Sequence, residues 1–145
     1  LVANLPRGIG ERELATLRAR IPGLEDAAVV EVRGSRGPGN ALLIEVESEH
    51  VREMFTSFGE RGVPARTVAD RLAREALAYL GSDAPVGPHL ADQLIVPLAL
   101  AGDGEFRTLP LTTHFATNVS IVERFLPVRV RWAEEASGSV RVELR

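Results

Sequence analysis

Cysteine and lysine are both missing from this sequence of 145 residues. Without cysteine there can be no disulfide framework and no thiolate metal site, and a reducing compartment is permitted. Without lysine, all 17 basic side chains are arginine. Codon bias in a GC-rich genome accounts for that most simply, although a guanidinium is also the better bidentate partner for phosphate. Aromatic residues make up only 5%, and Tyr79 and Trp132 stand alone rather than forming the paired stacking platform of a single-strand binder. Long apolar runs are missing too. The longest, residues 94–101, falls well short of the ~20 residues a membrane-spanning helix requires. No signal or transit pattern opens the chain, so a cytoplasmic location is expected and the sequon at Asn118-Val119-Ser120 is set aside. No cluster of histidine and carboxylate shows zinc-ligand spacing, so no metal ligands are assigned within the chain. The chain opens on Leu1, inside what reads as a strand, and is therefore expected to be a piece of a longer polypeptide.

What is present is ordinary for a soluble globular protein: 45% hydrophobic and 26% charged residues, with a net charge of −3. That charge counts against a chain that attracts nucleic acid over its whole surface. The length allows one ordinary domain or two small ones. Residues 1–5 read as a strand, stopped by Pro6-Arg7-Gly8. Residues 11–21 carry Leu14, Leu17 and Ile21 at helical spacing, and residues 27–32 are β-branched and strand-like. Residues 34–40 form a glycine-bearing loop without the Gly-Lys-Ser/Thr ending of a phosphate cradle. Two strands, 41–46 and 52–58, flank a turn containing His50, which is read as a solvated turn residue. Residues 64–80 are a helix with Val68, Leu72, Ala76, Leu77 and Leu80 in one stripe.

After a linker at 81–85, residues 89–101 read as a helix that Pro97 should bend or end. Residues 105–111 read as a strand, 118–126 as a helix, and 128–132 and 140–144 as strands joined by a turn at Ser137-Gly138. The expected class is α+β, built from two small α/β-sandwich-like segments. Residues 1–83 form a β-α-β-β-β-α domain and residues 84–145 an α-β-α-β-β domain, each a sheet with helices mainly on one face.

One histidine raises a chemical question. His114 stands where a strand gives way to an amphipathic helix, with Thr117 and Asn118 as N-cap candidates beyond it. A helix start offers free N–H groups and the positive end of a dipole to an anionic phosphate, and imidazole, with an ordinary pKa of about 6.5, is a nucleophile toward phosphorus near neutral pH. The bland alternative is a polar loop residue. Asp92 and Gln93 open an apolar run, with His89 on the same helical side. They are either the wet first turn of a buried helix, the simpler account, or one wall of a cleft. Glu123-Arg124 read as a wet helix face, and Glu134-Glu135 as solvated.

Residues 89–102, 'HLADQLIVPLALAG', and residues 113–128, 'THFATNVSIVERFLPV', resemble the C-terminal part of the RNA 3′-terminal phosphate cyclase family. Residues 11–16, 37–40 and 44–48 resemble that family's inserted small domain, so the likeness runs through the whole chain in order. It implies a ligase-class enzyme that uses ATP to convert an RNA 3′-phosphate end to a 2′,3′-cyclic phosphodiester through a covalent histidine–AMP. On the resemblance His114 is the nucleophile, and His89, Leu90, Ala91, Asp92 and Gln93 are the ATP-binding stretch. His89 falls where a tyrosine often stacks on adenine. A divalent cation, Mg²⁺ or Mn²⁺, would neutralise the triphosphate.

Arg107, Arg124 and Arg129 are candidates for RNA phosphate, with nothing in the sequence to choose among them. The family's N-terminal half is absent from this sequence: either it belongs to the same polypeptide beyond these residues, or it sits on another chain, or this piece is inactive alone. The chain is expected to pair with that half or with itself as a homo-oligomer. The competing account is a catalytically silent cyclase-like factor in ribosome biogenesis; such relatives lack the histidine that this chain has. A plain RNA-binding module is disfavoured by the net charge.

Overall fold

The computed structural model describes residues 1–145 and is α+β, with two small sheets and four helices. The chain divides into two compact units. One holds residues 1–46 and 54–78, the other residues 47–53 and 79–145.

In the first unit, β1 (Val2–Ala3) runs parallel to β2 (Glu31–Val32) and antiparallel to β3 (Gly39–Glu47), which neighbours β4 (Arg52–Phe58), giving the order β2-β1-β3-β4. Alternation along β3 buries Leu42 and Ile44 and exposes Leu43 and Glu45, so one face of this sheet is covered and the other is wet. The cover comes from α1 (Gly8–Arg20), through Leu17, and α2 (Ala65–Leu80), through Val68, Ala69, Leu72, Ala73 and Ala76. Gly10 marks how closely α1 approaches the strands. A Cβ there would lie 2.9 Å from both Val2 and Val29 side-chain carbons, so only glycine fits.

Two boundaries differ from the sequence-based expectation. Helix α1 starts at Gly8 rather than residue 11 and carries Gly10 in its first turn, close against Val2. The strand expected over 27–32 shrinks to two residues, since β2 pairs only with the equally short β1. On α2 the expected stripe rotates: Leu77 and Leu80 are 40% and 50% exposed, while Ala69, Ala73 and Tyr79 are buried in their place.

In the second unit, β5 (Gly104–Thr108), β7 (Val140–Leu144) and β6 (Val130–Glu134) form an antiparallel sheet in that order, and Val86 adds a parallel bridge to Thr108. Helices α3 (Pro88–Ala101) and α4 (Thr113–Phe125) bury Ala91, Ile95, Ala99, Phe115, Val119 and Val122 against Val142 and Leu144 of the sheet. Pro97 does not end α3. It lies on the exposed side, and Gln93, whose carbonyl loses its donor to the proline ring, is exposed as well, so water can satisfy it. Gly102, at φ 79°, closes the helix in the left-handed conformation. No helix is long and apolar enough to cross a membrane.

Candidate functional site

Helix α4 begins five residues before the position expected from sequence, and this changes the setting of His114. Its N-cap is Thr112, whose hydroxyl accepts the Phe115 N–H at 3.0 Å; Thr117 and Asn118 lie inside the helix. His114 is therefore the second residue of the first turn, not a loop residue ahead of it. The first intrahelical bond runs from the Ala116 N–H to the Thr112 carbonyl, which leaves the Thr113 and His114 N–H groups at the open end of the helix. The imidazole is exposed, while Phe115 beneath it is 1% exposed and meets Trp132 edge-on, with ring centroids 5.9 Å apart. Phe115, Val119 and Val122 pin one side of α4 to the core and so turn His114 outward.

The residues 89–93 divide by side. Ala91 is buried in the core and Leu90 packs against it, whereas His89 and Gln93 are exposed and Asp92 is half-buried. The Asp92 carboxylate accepts the Thr112 hydroxyl at 3.1 Å through Oδ1. That hydrogen bond joins the two stretches that sequence singled out: α3 supplies the acceptor, and the hydroxyl it holds caps the turn carrying His114. Asp92 is thus more than the wet first turn of a helix. No hydrogen bond ties His89 or Gln93 to the His114 ring.

Sequence reasoning missed Glu53. It is 2% exposed and, within the second unit, its carboxylate accepts the N–H of Gly87, the N-cap residue of α3. A Cβ on Gly87 would fall 2.8 Å from that carboxyl group, which is why glycine stands there. Burial raises the Glu53 pKa above the usual carboxylate range, and the Gly87 N–H and the nearby His89 oppose the rise. Tyr79, whose hydroxyl donates to the Pro85 carbonyl at 3.0 Å, is also raised, by burial and then by the Glu53 charge. The signal was present in outline, since Glu53 shares a strand face with Phe55. Its partner could only be found once Gly87 had been placed.

Of the arginines considered for phosphate, Arg107 pairs with Asp83 at 2.8 Å and Arg129 with Glu123 at 3.6 Å, while Arg124 is exposed without an ion pair. Glu123 also accepts the Val130 N–H at 2.9 Å, so it locks α4 to β6 rather than only facing water. Glu135 likewise is not simply solvated. It bonds Arg141 at 2.9 Å and Ser139 at 3.1 Å, and the Arg141 bond lowers its pKa first, ahead of the other contacts. His50 sits exposed in the hairpin turn beside Glu49. No group of three His, Asp or Glu residues could hold a metal ion.

Against known proteins, the family model described as RNA 3′-terminal phosphate cyclase, insert domain, matches residues 1–81. The chain is 51% identical over 138 residues to the RNA 3′-terminal phosphate cyclase of Salmonella enteritidis, covering 95% of this chain and 40% of that protein. It is 51% identical over 142 residues to the Salmonella paratyphi C protein of the same name, covering 98% and 41%. With the Ralstonia nicotianae protein of that name it shares 48% over 145 residues, covering 99% and 42%. The chain spans about two fifths of the length of these relatives.

Proposed function

Because the chain belongs to the RNA 3′-terminal phosphate cyclase family, we propose that it carries the nucleotidyl-transfer nucleophile of an ATP-dependent enzyme that closes RNA 3′-phosphate ends into 2′,3′-cyclic phosphodiesters. The observation that carries this reading is the Asp92–Thr112 hydrogen bond, which fixes an exposed imidazole on the first turn of α4.

The chemistry follows in three displacements. A neutral imidazole nitrogen of His114 attacks the α-phosphorus of ATP; a P–N bond forms, the bond to the bridging oxygen breaks, and pyrophosphate leaves. The open N–H groups of Thr113 and His114 and the positive end of α4 suit the negative charge that gathers on the phosphoryl oxygens. An oxygen of the RNA 3′-phosphate then displaces the imidazole, breaking the P–N bond and forming a phosphoanhydride to AMP. Last, the vicinal 2′-oxygen attacks the RNA phosphorus, loses its proton and expels AMP as the ring closes. Because the phosphoramidate retains the activation, one ATP serves one end.

His89 and Gln93, on the exposed side of the first turns of α3, are the side chains that would face the nucleotide, while Leu90 and Ala91 hold that helix to the core. A divalent cation would arrive with the triphosphate. This chain offers it no ligand set, so no step is assigned to it.

The test uses the full-length protein, α-labelled ATP and a divalent cation. An acid-labile, base-stable labelled adduct is expected, and it should vanish in His114→Ala. Labelling that survives the substitution would place the nucleophile elsewhere.

A further inference from the structure

The first unit contains a cavity of about 600 Å³ that the proposed reaction does not use. Its size falls within the ~300–1,000 Å³ typical of ligand sites. Ile9, Pro38 and Val63 supply apolar wall, and Arg12 and Arg61 line it with exposed guanidiniums engaged in no ion pair. Among its lining residues is Glu13, only 1% exposed, a buried acid on an otherwise apolar helix side.

Glu13 is held in place. The Asn40 amide nitrogen reaches both of its carboxylate oxygens, at 2.7 and 2.8 Å, and the Asn40 amide oxygen fills the space where a side chain on Gly59 would go. A carboxylate has about four acceptor positions, and this single donor leaves acceptor capacity unmet beside the cavity. Burial raises the Glu13 pKa, consistent with a group short of donors.

The wall therefore combines three demands: a flat apolar body, N–H donors for a buried acceptor, and anionic groups for two exposed guanidiniums that form no salt bridge. A nucleotide within a strand meets all three, because its base is flat, its edge donates and its flanking phosphates are charged. Single-stranded RNA is commonly read through bases splayed into such pockets. Resting on the RNA-end reading above, we propose that this cavity holds one splayed-out nucleotide of the substrate strand, with Arg12 and Arg61 on the flanking phosphates and Glu13, positioned by Asn40, on the base edge.

The experiment measures binding of a 5′-labelled oligoribonucleotide ending in a 3′-phosphate to the full-length protein by fluorescence anisotropy across a salt series. The Arg12→Ala/Arg61→Ala variant should bind on the order of tenfold more weakly, and the slope of log affinity against log salt should flatten by about 0.7 for each phosphate left without its arginine. The corresponding double lysine variant should retain most of the slope. Glu13→Gln should alter the preference among oligonucleotides that differ at one base while leaving the salt slope unchanged.

Formation of the labelled His114 adduct from ATP should be unchanged in all these variants, which also shows that they are folded. Normal adduct formation together with unchanged affinity and slope would overturn the proposal. So would loss of binding to a free mononucleotide without loss of binding to the strand. Failure of the wild-type protein to form the adduct would instead count against the role of His114 alone.

Discussion

Thr112 uses one hydroxyl twice: it donates to Asp92 at 3.1 Å and accepts from the Phe115 N–H at 3.0 Å. The first bond orients the oxygen and the second caps the helix, so a residue with no chemistry of its own decides where His114 stands. Thr112→Ala should lower stability by about 1 kcal/mol, the usual loss for a removed N-cap, and should slow adduct formation at His114. Thr112→Ser, which retains the hydroxyl, should restore both, as read by urea unfolding and by the labelling rate. Asp92→Ala is expected to slow labelling in the same way. The double variant should then be little worse than either single one, because both substitutions break one chain of bonds. If the two effects on labelling add fully, Asp92 acts on the nucleotide by another route. At this scale the sequence singles out His114 and Asp92 by residue type alone. It is silent on the hydrogen bond from Thr112 to Asp92, because that threonine reads as ordinary loop.

Among the elements, the order β-α-β-β-β-α followed by α-β-α-β-β could be read from apolar spacing, because each element buries one periodic face. The starts of α2 and α3 fell within one residue of expectation, whereas those of α1 and α4 were not legible, for physical reasons that differ. In α4 the cap depends on a tertiary partner, Asp92, so Thr117 and Asn118 looked like better caps than Thr112. In α1 the first turn holds Gly8 and Gly10, both poor helix formers, and Gly10 is kept there by close packing on Val2 and Val29. In α3 the proline looked like a break, yet Ile95 and Ala99 on either side of it are both anchored in the core, and that packing carries the helix through. An interior proline ordinarily costs a helix about 3 kcal/mol. Pro97→Ala should therefore raise the urea midpoint, with a gain of up to about that amount if the helix keeps its path. A loss of stability would mean that the exposed side of α3 depends on the curvature proline imposes.

Across the whole molecule, two buried carboxylates set how stability responds to pH. Glu13 in the first unit and Glu53 in the second are 1% and 2% exposed, and burial raises both pKa values more than their hydrogen bonds lower them. The folded chain therefore retains protons on these groups to higher pH than the unfolded chain does. Where the folded state binds more protons, stability falls as pH rises. Their contribution is fully present below the unfolded carboxylate pKa and is lost as pH rises through the folded values. The lowered Glu135 works in the opposite direction, its contribution fading on acidification, but it belongs to a surface network with Arg141 that salt screens. Urea midpoints measured in high salt should thus increase as pH is lowered through the raised pKa values of the two buried acids toward the ordinary carboxylate range. Glu13→Gln/Glu53→Gln should flatten that rise while preserving an acceptor for the Gly87 N–H. The glutamine at position 53 should also remove the charge felt by Tyr79, so the tyrosine should titrate at lower pH than in the unaltered chain, which an absorbance titration would detect. A midpoint that does not rise on acidification toward the ordinary carboxylate range in the unaltered chain would show that these carboxylates are not held against their ionisation, and the role given to Glu53 at the start of α3 would fail with it.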